Sequence, residues 1–473
     1  MAASLQPTTR VERDFLGEKT LPADAYWGVH SARAVENFPI SGQTVAQMPE
    51  LVRALAFVKK AAAQANAELG VIDAARAEAI VAACDELIAG RLHEQFVVDV
   101  IQGGAGTSTN MNANEVICNR ALELLGHARG QHDLLHPNDH VNASQSTNDV
   151  YPTALRLAAW FGIGGLIDAM ASLRGAFEAK AEEFKAVLKI GRTQLQDAVP
   201  MTLGQEFMAY AVMIGEDEAR LREARALIEE VNLGATAIGT GINAPAGYAE
   251  RVVALLAEAS GVPVVKSHNL VEATQDTGAF VQLSGVLKRV ACKLSKTCND
   301  LRLLSSGPQA GFGDIRLPPR QAGSSIMPGK VNPVIPEVMN QVAFEVIGND
   351  VTITMASEAG QLQLNAFEPI MGWALHKSIA HLTRACGTLQ RHCVEGIEAN
   401  HDLLQRRVAE SVTLVTALNP VIGYERAALI AKTALAGGGT IADVAESLGI
   451  LTREQMRALL VPETLTQPLR RAV

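Results

Sequence analysis

The sequence predicts a mainly α-helical protein organised around five long central helices. Three observations point there. Prolines at 152, 200, 245, 263, 308, 369 and 420 punctuate the middle of the chain and bound proline-free runs at 153–199, 201–244, 264–307, 337–368 and 370–419. A proline inside a helix costs about 3 kcal/mol, so these gaps leave room for very long helices. In the third run, Phe280, Leu283, Leu287, Val290, Leu294, Cys298 and Leu301 recur at steps of three and four. That is one apolar helix face sustained over about six turns. Aromatics make up only 4% of the chain, whereas Ala and Leu abound. Ala and Leu are strong helix formers, while strands draw on β-branched and aromatic residues. Helices this long must bury their apolar faces against neighbours, and five of them make an up-and-down bundle.

The elements follow in chain order. Before residue 145 the pattern is choppier, with helices expected near 50–68 and 74–90 and Gly- or Asn-rich loops at 102–114 and 136–149. After residue 400 come shorter helices, a glycine cluster AGGGT at 436–440 and a final helix, LTREQMRALL. Thr452 is its N-cap, and Glu454 lies in the first turn, where an acid complements the helix dipole. No strand-period segment exceeds a few residues, and no tandem repeat or low-complexity linker occurs. A chain of 473 residues is beyond the size at which one core splits. The expected division is an N-terminal mainly helical domain, 1–145, a central long-helix bundle, 146–400, and a small C-terminal helical domain, 401–473.

Composition narrows the function classes. Hydrophobic residues are 48% and charged residues 19%, as in an ordinary globular protein. The net charge is −9 and the pI about 5.7, with no basic stripe interleaved with aromatics, so nucleic acid is not an expected partner. An acidic surface still permits an anionic substrate, because one lysine outweighs the mean field inside a cleft. The six cysteines, at 84, 118, 292, 298, 386 and 393, form no Cys-x-x-Cys and read as reduced, mostly buried thiols of a cytoplasmic protein. No metal cluster is expected. The first residues lack the apolar core of a secretory signal. No run of 18 apolar residues occurs, so no membrane span is expected.

Four polar islands interrupt the aliphatic chain: GGAGTSTNMNANE (103–115), HPNDHVNASQSTND (136–149), GRTQLQDAVP (191–200) and GSSIMPGKVNP (323–333). Each alone reads as a helix cap or a turn. Four of one chemistry suggest more. Neutral hydroxyl and amide donors, added to the backbone N–H groups of helix N-termini, make an anion pocket of small intrinsic charge. Such a pocket suits small carboxylates.

The last island is not a phosphate loop. Five residues separate Gly323 from Gly329, and Val331 follows Lys330, so both the spacing and the hydroxyl of a Walker A motif are wrong. Pro328 and Gly329 make a turn on their own. Gly323 suits a hinge, two hydroxyls sit side by side, and Lys330 lies six residues beyond the first of them. A closing loop that delivers a base needs such parts. A serine base would need N–H groups aimed at its oxygen, a nearby cation and exclusion of water. No G-x-S-x-G elbow occurs, which disfavours acyl-enzyme chemistry.

These islands resemble, in order, the signature blocks of the fumarase/aspartase superfamily. The likeness runs from ADAYWGVHSARAVENFPIS near the start to SVTLVTALNPVIGY near the end. HPNDHVNASQS and PGKVNP suit the fumarase branch equally. VNPVIPEVMNQVAFEVIGND, EAGQLQLNAFEPIMGWAL and QSTNDVYPTALR resemble the aspartate ammonia-lyase branch. Gln194 stands where many relatives, fumarases included, carry histidine. The aspartase branch is therefore the preferred reading. Class II fumarase is the alternative, and a non-catalytic structural member stands behind both.

The resemblance implies a three-domain, mainly α fold in which the long helices of four subunits form one core. It implies active sites shared between subunits of a homotetramer, a small dicarboxylate substrate, and deamination of L-aspartate through an aci-carboxylate. Ser324 would be the base. Thr107, Ser146, Thr147 and Ser325 would hold the β-carboxylate, and Thr193, Lys330 and Asn332 the α-carboxylate. Asn148 and Gln194 would face the amino group. No cofactor is required by this chemistry; some relatives respond to Mg²⁺, but no acidic cluster here names ligands. His136 to His140 resembles a second, non-catalytic anion site, and the same residues also read as an ordinary turn. The remaining histidines show no metal-binding spacing and read as structural.

Overall fold

The structure, a computed structural model, describes residues 8–466. It opens with a hairpin of β1 (Thr9–Asp14) and β2 (Gly17–Pro22). Four helices follow: α1 (Val29–Asn37), α2 (Pro49–Glu68), α3 (Ala74–Ile88) and α4 (Thr107–Leu124). Then comes α5 (Thr147–Glu183), 37 residues long. A second hairpin, β3 (Leu188–Thr193) and β4 (Gln196–Thr202), leads to α6 (Leu203–Leu227). After α7 (Tyr248–Ser260) and α8 (Leu270–Ala273) come α9 (Gly278–Leu304), α10 (Val334–Glu358) and α11 (Glu368–His392). The chain ends in α12 (His401–Glu410), α13 (Leu414–Ile422), α14 (Tyr424–Thr433), α15 (Ile441–Ser447), α16 (Arg453–Leu459) and α17 (Pro462–Leu465). The five proline-free runs correspond to α5, α6, α9, α10 and α11.

Two compact units are present. The first takes residues up to 167, 219–289 and 344–382; the second takes 168–218, 290–343 and the chain from 383. Each of the five long helices gives one portion to each unit. In the first, α2 is apolar almost all round, and Val52, Leu55, Val58 and Ala62 are fully buried. Asp350 on α10 takes hydrogen bonds from Ser284 (2.8 Å) and Lys288 (2.6 Å) on α9. In the second, Phe177 and Phe184 of α5 meet Phe207 and Tyr210 of α6 at ring separations of 5.3–6.0 Å. Offset aromatic contacts of this kind add to area burial. A separate C-terminal core gathers Leu418, Ile430, Val444 and Ala445.

Several expectations need correction. Two hairpins of six- and seven-residue strands exist where no strand was expected. TRVERD and GEKTLP are polar on both faces, so their period is hidden; the register runs from Thr9 opposite Pro22 to Asp14 opposite Gly17. Helix α4 begins at Thr107, inside the expected 102–114 loop. Helix α5 is long and apolar enough to cross a membrane by mean hydropathy, because its Ala, Gly and Thr residues do not offset its leucines; half of its most apolar window is buried. The bent pair Tyr424–Gly438 and Ile441–Ser447 is also long and apolar enough. Thr452 does cap α16, in a capping box with Gln455. Five of the six cysteines are buried, Cys292 being exposed, and all six are free thiols.

Helix α5 also begins five residues before Pro152, which the run 153–199 excluded. Proline removes the N–H that would bond the carbonyl four residues back. That carbonyl belongs to Asn148, and it is rescued by the Asn232 side chain, whose Nδ2 donates to it at 3.0 Å. Asn232 is buried and also donates to Thr274 Oγ1 at 3.1 Å. A buried carbonyl left without a partner costs about 1–3 kcal/mol. Asn232→Ala is therefore expected to lower stability by about 2 kcal/mol, read as a drop in the thermal midpoint, with the helical circular-dichroism signal retained.

Candidate active site

The first unit holds Thr107, Ser146, Thr147 and Asn148. Gly106 precedes α4 with φ 90°, and a Cβ there would lie 2.4 Å from the Tyr151 ring. Only glycine fits, and it delivers Thr107 as the first helical residue with its side chain half-buried. The Thr107 hydroxyl donates to Gly104 O at 2.7 Å. One turn further on, Asn110 donates from Nδ2 to Thr147 Oγ1 at 3.1 Å. The starts of α4 and α5 thus lie side by side, with Thr107 on the Asn110 face. Part of each first turn is already capped, Thr109 N by Gln102 Oε1 and Asn148 N by Ser146 Oγ.

Asp149 ties the start of α5 in place. Its Oδ1 accepts from Ser146 N, and its Oδ2 from Gly234 N and Thr236 N, all at 3.0 Å. Burial pushes its pKa up to about 6, against the pull of those three N–H groups. Asn148 donates from Nδ2 to Ala237 O at 2.7 Å, and Ser146 Oγ accepts from Asn148 N at 3.2 Å. The segment 232–241, NLGATAIGTG, is therefore a fifth polar island beside the other two. It has the same Gly/Thr composition and was legible on that ground, but it was not singled out.

Behind Thr147 lies a buried lysine that sequence reasoning also missed. Lys59 is fully buried on α2, and its Nζ donates to Asn142 Oδ1 and Gln145 Oε1, both at 2.9 Å. Asn142 Oδ1 also accepts from Asn110 Nδ2 and Asn114 Nδ2 at 3.2 Å each. Burial lowers the Lys59 pKa to about 7, while the Asp149 carboxylate pulls it the other way. At the neighbouring turn Pro137–Val141, His136 Nδ1 accepts from Asn138 N and Asp139 N, and His140 Nδ1 accepts from His136 N at 2.8 Å. These bonds are those of a self-contained turn.

The second unit holds Thr193, Gln194, Ser324, Ser325, Lys330 and Asn332. Thr193 and Gln196 close the β3–β4 hairpin, and Gln194 and Leu195 form its two-residue turn with φ of 54° and 63°. Such turns favour Asn-Gly, because both positions are left-handed. Two bulky residues there store about 1–2 kcal/mol each, and strain of this kind clusters at functional sites. Asp314 anchors the hairpin. It is fully buried and is met by Arg192 Nη1 at 2.7 Å, Lys189 Nζ at 3.3 Å and Arg407 Nη1 at 2.7 Å.

The loop 323–333 is held at its base. Gly323 N donates to Lys330 O at 2.7 Å, and Asn332 Nδ2 donates to Gly323 O at 2.9 Å. A Cβ on Gly323 would come within 2.8 Å of Lys330 O, so the close approach at the base of the loop requires glycine. Ser324 Oγ accepts from Ile326 N at 3.1 Å and Met327 N at 3.0 Å. Ser325, Ile326, Met327 and Lys330 are exposed. The loop forms one wall of a cleft of about 840 Å³, with Arg302, Arg316 and Arg320 also lining it. No aspartate or glutamate lines that cleft among the described residues. Also among the described residues, no group of three or more His, Cys, Asp or Glu side chains is placed to hold a metal ion.

The structure thus brings Thr107, Thr147 and their helix starts together in the first unit. In the second it closes Ser324 to Asn332 into one loop and carries Thr193 and Gln194 on a separate hairpin.

Comparison with known proteins gives the class. The lyase family profile matches residues 17–348, and the fumarase C C-terminus profile matches 414–467. The chain belongs to this lyase family, the fumarase/aspartase superfamily. Among individual relatives it is 54% identical to the aspartate ammonia-lyase of Helicobacter pylori, covering 97% of this chain and 98% of that one. Identity to the aspartate ammonia-lyase of Pseudomonas aeruginosa is 56%, with 98% of both covered. That of Escherichia coli is 53% identical, with 97% and 96% covered. Among solved structures, a Brucella melitensis protein described as fumarate lyase:delta crystallin bound to cobalt superposes with TM-score 0.95 at 58% identity, covering 97% of this chain and all of that one. The Schistosoma mansoni class II fumarase superposes with TM-score 0.91 at 34% identity, covering 98% and 100%.

The Asp314 anchor has a measurable consequence. Burial would raise its pKa, but the Arg192 hydrogen bond and the Lys189 charge hold it below the usual aspartate value. The folded pKa is below the unfolded one, near 3.9. The stabilisation is therefore complete above that value and is lost as pH falls through the folded pKa. Asp314→Asn takes the charge partner from Arg192 and Arg407, while Lys189 keeps Glu206 at 2.6 Å, at about 3 kcal/mol. Its thermal midpoint is expected to fall steeply at neutral pH, and the gap to wild type to narrow below about pH 4.

Proposed function

We propose that the chain catalyses the reversible deamination of L-aspartate to fumarate and ammonia, as a carbon–nitrogen lyase. The observation that carries this is near-full-length identity of 53–56% to three bacterial aspartate ammonia-lyases. Gln194 separates this reading from class II fumarase, since fumarases carry histidine at the matching place.

The residue roles are those that the family resemblance implies. Ser324 takes the Cβ proton. The C–H electron pair passes into the β-carboxylate as an aci-carboxylate, then returns to form the double bond as the C–N bond breaks and ammonia leaves. The two N–H groups on Ser324 Oγ support its role, because they lower the cost of an alkoxide. Thr107, Ser146, Thr147 and Ser325 hold the β-carboxylate with uncharged donors, which tighten as charge develops. Thr193, Lys330 and Asn332 hold the α-carboxylate; one amide hydrogen of Asn332 is already committed to Gly323 O. Asn148 and Gln194 face the amino group, and neither can titrate. No cofactor is needed for these steps.

In this reading the protein is a cytoplasmic homotetramer of three-domain subunits, divided at 1–145, 146–400 and 401–473. Different subunits contribute to each active site. Exposed Phe344, Val351 and Met355 along one face of α10 support such an assembly, since apolar stripes of this length are seldom left to water. The apolar α5 is then a core helix rather than a membrane span.

Incubation with L-aspartate should release fumarate, followed by its ultraviolet absorbance. Hydration of fumarate to malate without ammonia release would reassign the chain to the fumarase branch. Ser324→Ala is expected to lower kcat by about 10³-fold with unchanged association state; wild-type kcat in that variant rules out the base assignment.

A further inference from the structure

We propose that Lys59 is a positioning residue that sets the donor polarity of the first-unit pocket, so that the Thr147 hydroxyl must present its proton to a dicarboxylate. This rests on the reading of Thr147 as a β-carboxylate contact. In its ionised form the Lys59 side chain is an ammonium, which donates and never accepts. The atoms of Asn142 and Gln145 that lie 2.9 Å from Lys59 Nζ must therefore be amide oxygens. Asn142 Oδ1, so fixed, is met by Asn110 and Asn114 at 3.2 Å, and both must offer Nδ2 to it. Asn110 Nδ2 is also 3.1 Å from Thr147 Oγ1, so the threonine oxygen accepts there. Its own O–H hydrogen is left for another acceptor.

The cost of this arrangement is visible. Asn110 Oδ1 and Asn114 Oδ1 are buried with no partner. Buried amide oxygens are rarely orphaned. Here neither amide can turn over to satisfy its oxygen without setting it against Asn142 Oδ1. The polarity is imposed by the lysine, and the orphaned oxygens are its consequence. Lys59 also places positive charge behind the carboxylate contact without touching it. Such a charge favours a dianionic intermediate over a monoanionic carboxylate, and so acts more on the transition state than on bound substrate.

The test uses the full-length enzyme with two probes. Succinate mimics the ground-state dicarboxylate, and the nitronate of 3-nitropropionate carries extra charge where the aci-carboxylate does. For Lys59→Met, nitronate binding is expected to weaken about tenfold more than succinate binding, with kcat reduced and KM within about threefold. Asn110→Asp keeps the side-chain shape but accepts the Thr147 proton instead of donating. It is expected to weaken both probes about tenfold or more, and to lower the thermal midpoint as well, because a carboxylate oxygen then faces Asn142 Oδ1. Should Lys59→Met not fold, Asn110→Asp decides alone. Wild-type affinity for both probes in Asn110→Asp overturns the proposal, as does equal weakening of the two probes in a folded Lys59→Met. A wild-type enzyme that binds neither probe removes the functional reading, and the proposal with it. A wild-type enzyme that binds both upholds that reading, and the two variants then bear on the polarity alone.

Discussion

The start of α5 is tied down by one buried carboxylate, and much of the first unit is built around that joint. Asp149 does the tying. It bonds Ser146 N within its own turn and reaches Gly234 N and Thr236 N across to another segment. The carboxylate is thus spent on the scaffold. Pro152 and Asn232 complete the same joint, one by removing an N–H and the other by satisfying the carbonyl it leaves.

Buried charge recurs as the means of holding polar loops on an aliphatic frame. Asp149 and Lys59 are both fully buried and push each other toward the ionised state, while burial pushes both toward neutrality. Among the described residues the two form no direct ion pair; amides and backbone N–H groups contact each of them instead. Asp314 follows a different rule. It collects three cations directly and stays ionised. The first arrangement distributes donors toward a pocket, and the second fixes a strained hairpin. In both, removing one member leaves buried polar groups short of a partner, which is costlier than never having had them.

Legibility in the sequence followed the range of the interactions. Proline spacing and a 3.6-residue apolar period are local, and they located all five long helices. Thr452 as an N-cap was equally local. The β1–β2 hairpin was missed because its strands carry polar residues on both faces, so no alternation marks a buried side. Ser324 was named through the resemblance of GSSIMPGKVNP to the superfamily signature, and the two N–H groups on its oxygen are ones a tight turn supplies by itself. Lys59 was passed over because one lysine in LAFVKKAAAQ looks like any helix surface. Its burial depends on α2 being packed on all sides.

The sequence by itself determined the helical class, the positions of the long helices, the polar islands and the family, because each is written in spacing or in contiguous residues. Tertiary structure decided which polar groups lose water and which partners they then face. That is why Gln194 and Leu195 hold a left-handed turn without glycine, why Asp314 lies beneath three cations, and why one lysine far up the chain orders the amides behind Thr147. Desolvation is a property of the packed chain, and no single segment carries it.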